Sequence, residues 1–190
     1  MSHRRGVRLF VLLALGACTD VPPSPLPFTT LDGSAIAPLD VPPGHLRVLV
    51  FVSHDCPIAN AYAPEIERLW QQLRGPAVDF LLVHCDPDLD ATAARQHARE
   101  HALTLPIVLD PQQQLARAVG ATVTPEAAVL THDGVQYLGR IDDRWRGFGQ
   151  DGQVAEHDDL RQAVAALRAG RSVENPRTRA IGCQLPDPRR

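Results

Sequence analysis

Arg47-Val48-Leu49-Val50-Phe51-Val52-Ser53-His54-Asp55-Cys56-Pro57 decides how this chain is read. Val48, Val50, Phe51 and Val52 form the β-branched and aromatic run expected of a strand buried on both faces. The run stops at a polar triplet and a cysteine. Beyond it, Ile66, Leu69, Trp70 and Leu73 recur at i, i+3, i+4 and i+7, one face of a helix. Cys56 is therefore expected where a buried strand hands over to a helix N-terminus. Unpaired backbone N–H groups and the helix dipole favour an anion there, and a thiolate is an anion. A free thiol titrates near ~8.5, and such sites lower it to roughly 3.5–7.5. Cys56 is thus a candidate nucleophile; the competing reading is a small hydrophobe closing a strand end.

Towards the N-terminus the pattern changes. Arg4, Arg5 and Arg8 precede a short apolar run over residues 9–15, and Leu15-Gly16-Ala17-Cys18 places small residues before a cysteine. The run is too short to span a bilayer. It resembles a bacterial lipoprotein signal with Cys18 as the lipid-bearing mature N-terminus, which makes residues 1–18 the signal. Thr19 rather than Asp follows, which in that family argues for the outer rather than the inner membrane. The domain is then expected on the periplasmic side, anchored through Cys18, where disulfides persist. A plain secretory signal also exports it. Residues 19–27 carry Pro22, Pro23, Pro25 and Pro27 and read as a semi-extended tether.

The chain of 190 residues is long enough for one domain with a sizeable core. Its net charge of −3, with no basic cluster beyond the signal, argues against nucleic acid. With Cys18 set aside, Cys56, Cys85 and Cys183 remain, so at most one intramolecular pair can form.

Asp32-Gly33 signals a hairpin within residues 28–39. Residues 78–84 read as a second buried strand and residues 91–102 as a helix capped by Asp90. Pro64 should kink the first helix or mark its effective start. Residues 105–109 are expected as a short strand, and residues 111–119 as a short helix stopped by Gly120. Residues 127–131 and 135–139 flank His132-Asp133-Gly134 as an antiparallel hairpin, and residues 158–169 form a closing helix. Residues 171–190 read as an irregular tail carrying Cys183. The element order packs most economically as an α/β domain over residues 28–170, a mixed sheet with helices on both faces.

The cysteine after the first core strand, Thr124-Pro125 before the hairpin and the closing helix together resemble a thioredoxin-like fold. The segment between the second strand and Thr124 is similar to the insertion of the redoxin branch, the alkyl hydroperoxide reductase and thiol-specific antioxidant proteins. Asp55-Cys56-Pro57-Ile58-Ala59-Asn60, Thr124-Pro125-Glu126, Gly139-Arg140-Ile141-Asp142-Asp143 and Gly182-Cys183 resemble a group of exported bacterial redoxin-domain proteins. The resemblance implies a thiol oxidoreductase with no cofactor, whose partners are an external thiol reductant or a disulfide-bearing protein. It also implies that Pro125 is a cis-proline facing Cys56 and that Thr124 offers a free strand edge to a partner.

The chain departs from its relatives at several positions. Ala59 stands where a dithiol enzyme has its second cysteine, so no Cys-x-x-Cys can resolve a mixed disulfide locally. Cys85, expected at the same end of the sheet, and Cys183, on the tail, are the two candidates, with Cys183 favoured as in many peroxiredoxins. Peroxiredoxins also carry a Thr or Ser three before the cysteine, a Pro four before that, and an Arg holding the peroxide. Ser53 matches, Leu49 does not, and Arg140 is a candidate that an ion pair with Asp142 or Asp143 would equally explain. An alternative is copper binding by Cys56, Cys183, Cys85 and His54. Copper-delivering relatives use Cys-x-x-x-Cys, and here that slot is Asn60. His97 and His101 at i and i+4 are expected to be a solvated or packing pair.

Overall fold

The computed structural model describes residues 27–147 and 154–188. The signal at residues 1–18, Cys18 and nearly all of the tether lie outside the described residues. Among the described residues no helix is long and apolar enough to cross a membrane.

The core grows outward from β3 (Leu46–Val52), all seven of whose residues are buried. Successive side chains point to opposite faces. Val48, Val50 and Val52 enter one core cluster, Leu49 and Phe51 the other. β3 lies parallel to β4 (Val78–His84) and antiparallel to β7 (Glu126–Thr131). β5 (Ile107–Leu109) and β8 (Gly134–Gly139) complete a five-stranded mixed sheet of order β5-β4-β3-β7-β8. Ahead of it, β1 (Phe28–Thr29) and β2 (Ala35–Ile36) form the hairpin signalled by Asp32-Gly33.

Helix α1 (Pro57–Leu73) starts at Pro57, whose missing N–H costs nothing at that position. It runs through Pro64, which sits on its exposed side, so Pro64 is not the effective start. Ile66, Leu69 and Leu73 are buried as their spacing requires, with Trp70 half-buried. Helices α2 (Ala91–Glu100) and α4 (Asp159–Arg168) join α1 on the first face through Ala98, Leu160, Ala163 and Val164. Helix α3 (Gln114–Val119) covers the second face with Leu115, Ala116 and Val119. The α/β architecture with helices on both faces is the expected one.

The last segment differs from expectation. Residues 171–190 are not simply irregular. Arg177 bridges to Leu138 on the β8 edge, with Leu138 N–H donating to Pro176 O at 3.0 Å and Thr178 N–H to Leu138 O at 3.2 Å. Further on, β9 (Cys183–Gln184) pairs antiparallel with β6 (Val123–Thr124), with Cys183 opposite Thr124. The tail is laid onto two strand edges, which no local periodicity announced.

Candidate active site

Cys56 is the N-cap of α1, with extended backbone at φ −83° and ψ 109°, and Ala59 N–H donates to its Sγ at 3.4 Å. The strand-to-helix handover places it there, since β3 ends at Val52 and α1 starts at Pro57. The residue is 1 % exposed. Its thiol also donates to Thr124 O at 3.0 Å. The Thr124–Pro125 peptide bond is cis, so Pro125 stands where the resemblance implied, and Thr124 and Pro125 are both buried beside the cysteine.

The Thr124 edge is occupied, contrary to the expected free edge. β9 lies along it, Leu185 N–H donates to Thr122 O at 3.2 Å, and Gln113 Nε2 donates to Pro186 O. Gly182 is required by this contact, because a Cβ there would overlap the Thr124 carbonyl. The pairing delivers Cys183 to Cys56, with the sulfurs 2.9 Å apart, both as free thiols. A disulfide bond is about 2.0 Å long, so less than ~1 Å of motion joins them.

The two thiols are electrostatically unequal. Burial opposes ionisation of Cys56, but hydrogen bonds from Cys183 and from Ala59 N–H outweigh it and hold the thiol below its ordinary range. Burial pushes Cys183 up to about 11, and the neighbouring Cys56 adds to the shift. The last proton of the pair therefore resides on Cys183 and points at a Cys56 thiolate.

Cys85 is excluded from this pairing. It follows β4 at the expected end of the sheet, and its N–H donates to Val52 O at 3.0 Å. Its side chain, however, enters the second core cluster, whereas Cys56 belongs to the first. Burial, reinforced by the charges of Asp110 and Asp86, pushes its thiol well above the ordinary range. Of the four residues of the copper alternative, Cys56, Cys183 and His54 line one cleft, while Cys85 enters the core on the other face of the sheet. Among the described residues the one cluster with metal-ligating spacing is Asp143, Glu156 and His157, and Arg146 already pairs with Glu156 at 2.7 Å.

Ser53, the candidate peroxide-facing hydroxyl, donates instead to Asp86 Oδ1 at 2.5 Å. Asp86 also accepts from His54 N–H at 3.2 Å, and its oxygens lie 3.1 Å from His54 Nδ1 and 3.3 Å from His84 Nδ1. These bonds overcome burial and hold the carboxyl at about 2. Asp86 thereby fixes the loop that carries Cys56. No local sequence pattern singles Asp86 out. The parallel register of Val52 with His84, which the structure shows, sets residues 53–54 beside residue 86.

Arg140 does not reach Cys56. Its Nε donates to Asp159 Oδ2 at 2.7 Å, so its ion pair is with α4 rather than with Asp142 or Asp143. Those two carboxylates pin the same segment elsewhere. Asp142 accepts from the Tyr62 hydroxyl at 2.7 Å and pairs with Arg144, and Asp143 accepts from the N–H groups of Glu156 and His157.

A layer of histidines supports the loop from α2. Asn60 donates to His54 O at 2.8 Å, and its Oδ1 lies 2.8 Å from His97 Nε2. The His97 ring packs against His84 and His101, with centroids 5.0 and 4.5 Å away. His97 is a packing residue. Burial, and then the neighbouring His84 and His101, push it down to about 4, so it is neutral at pH 7 and its Nε2–H can donate to Asn60. Cys56, Cys183, His54, Asp55, Asp86 and Gln184 line one cleft of about 480 Å³.

The chain has recognisable relatives. The AhpC/TSA family matches residues 21–137. An uncharacterized conserved protein of Geobacillus kaustophilus superposes with a TM-score of 0.73 at 24 % identity, over 87 % of this chain and 92 % of that one. A secreted Mycobacterium tuberculosis disulfide oxidoreductase, homologous to E. coli DsbE, superposes with a TM-score of 0.53 at 23 % identity, over 75 % and 96 %. A putative thioredoxin of Neisseria meningitidis gives 0.58 at 16 % identity, over 79 % and 91 %. These likenesses establish a thioredoxin-like fold. No curated protein is similar in sequence.

Proposed function

Because the chain belongs to the AhpC/TSA family, we propose that it is an exported thiol oxidoreductase whose Cys56 and Cys183 alternate between dithiol and disulfide. The observation that carries this reading is the 2.9 Å separation of the two sulfurs across the β6–β9 pairing. Oxidation joins Cys56 Sγ to Cys183 Sγ and releases two electrons and two protons. A partner disulfide accepts them and becomes two thiols; in the other half of the cycle the Cys56–Cys183 disulfide takes two electrons and two protons from a partner dithiol, which becomes a disulfide. The N-terminus of α1 stabilises the Cys56 thiolate, and Cys183 supplies the second sulfur that Ala59 does not.

Disulfide exchange is favoured over peroxide reduction. A peroxide needs donors aimed at its oxygens, and the two candidates are committed elsewhere, Ser53 to Asp86 and Arg140 to Asp159. Leu49, in place of a proline, is buried in the second core cluster. The oxidoreductase named among the structural neighbours supports the same chemistry. Export rests on Leu15-Gly16-Ala17-Cys18, which would tether the domain to the outer membrane, facing the periplasm.

Peptide mass spectrometry of the oxidised protein tests the reading. A Cys56–Cys183 crosslink with Cys85 reduced is expected. A Cys56–Cys85 crosslink, or Cys56 over-oxidised alone, would overturn it. Consumption of hydrogen peroxide faster than of a protein disulfide would restore the peroxidase alternative.

A further inference from the structure

We propose that Cys183, and not the cysteine at the head of α1, is the sulfur through which this protein meets a partner, and that the partner is a protein dithiol which it oxidises. The proposal rests on the dithiol–disulfide reading above.

Displacement at a disulfide runs in line. The attacking thiolate approaches one sulfur from the side opposite the other, which leaves. Cys56 closes that approach. It is 1 % exposed, with Thr124 O at 3.0 Å, Ala59 N at 3.4 Å and Cys183 Sγ of β9 at 2.9 Å. Both residues line the same cleft, but Cys183, beside His54 and Gln184, is only half-buried, whereas Cys56 lies at its floor almost wholly covered. Closing less than ~1 Å between the sulfurs does not exchange these exposures.

In the first step a partner thiolate attacks Cys183 Sγ, forming a partner–Cys183 disulfide. The Cys56–Cys183 bond breaks, and its electron pair stays on Cys56 as thiolate. In the second step the partner's other thiolate attacks its own first sulfur, closing the partner's disulfide. Cys183 leaves with the electron pair and takes a proton from solvent. The partner has lost two electrons, and the protein has become the dithiol. Leaving groups are ranked the same way by their environment. Hydrogen bonds favour the thiolate of Cys56, whereas burial keeps Cys183 protonated up to about 11. The geometry ranks them alike, since Cys56 caps the N-terminus of α1 and accepts from Ala59 N–H at 3.4 Å, and a stabilised thiolate in the reduced form makes its disulfide the more oxidising.

The full chain, oxidised to the disulfide, is treated with thionitrobenzoate, a single thiolate, acid-quenched at early times and mapped by peptide mass spectrometry. The adduct on Cys183 should exceed that on Cys56 by on the order of 10-fold. An intact starting disulfide with the adduct on Cys56 would overturn this proposal alone, since the tail would then have to lift off. A starting protein with no Cys56–Cys183 disulfide would overturn both readings.

Discussion

At the scale of single residues, two of the protonation shifts at this site, those of Cys56 and His97, have consequences that a titration reads. Cys56 loses its proton early because Cys183 and Ala59 N–H donate to the sulfur. Ultraviolet thiolate absorbance, which needs no access to the buried atom, should therefore rise in two steps. The first falls below the ordinary value of 9.0 and the second, from Cys183, falls near 11. In Cys183→Ala the first step should move to higher pH; an unmoved step would mean that Cys183 contributes nothing to the thiolate. His97 carries the second shift. Its folded pKa of about 4 lies below an unfolded value near 6.5, so the unfolded chain binds more protons between the two. Its contribution to stability is complete above about pH 6.5 and is lost as pH falls towards 4, amounting to about 3 kcal/mol. The groups around the ring are His84, His101, His54 and Asp86, of which Asp86 alone opposes the shift. Denaturant titrations at a series of pH values should show this slope, and His97→Gln should flatten it.

At the scale of elements, most boundaries were readable. β3, β4 and α1 follow from apolar periodicity, and Asp90 caps α2 by accepting from the N–H groups of Thr92 and Ala93 at 2.8 Å. β9 escaped notice because two residues with one in an intermediate position carry no periodic signal. Its pairing depends on a single glycine. Gly182→Val should push β9 off the Thr124 carbonyl and slow formation of the Cys56–Cys183 disulfide by on the order of 10-fold or more. The variant should unfold at nearly the parent's denaturant midpoint, because the five-stranded sheet does not include β9. An unchanged oxidation rate would sink the claim that this strand delivers the second thiol. Rapid quenching with a thiol-blocking reagent gives the measurement.

At the scale of the whole molecule, charged contacts hold the segment between β8 and α4 to the rest of the domain. Arg140 pairs with Asp159, Asp142 accepts from Tyr62, and Arg144 reaches both Asp142 and Glu65. Arg140→Ala should cost about 1 kcal/mol of stability, as a partly exposed ion pair does, and leave thiol exchange unchanged. A large loss of exchange rate at full stability would restore a catalytic role for this arginine. The sequence by itself determined the layered α/β plan and the junction at which Cys56 sits, because each is written in neighbours a few residues apart; the candidacy of Thr124-Pro125 came from the resemblance to the thioredoxin-like fold. The tertiary structure alone decided that Cys183 rather than Cys85 meets Cys56, that Ser53 belongs to Asp86, and that the edge beside the cis-proline is filled by the chain's own tail. Those outcomes join residues 33 to 127 positions apart. Periodicity is blind at that range, and which face of the sheet a thiol enters is settled only when the strands pair and the core closes.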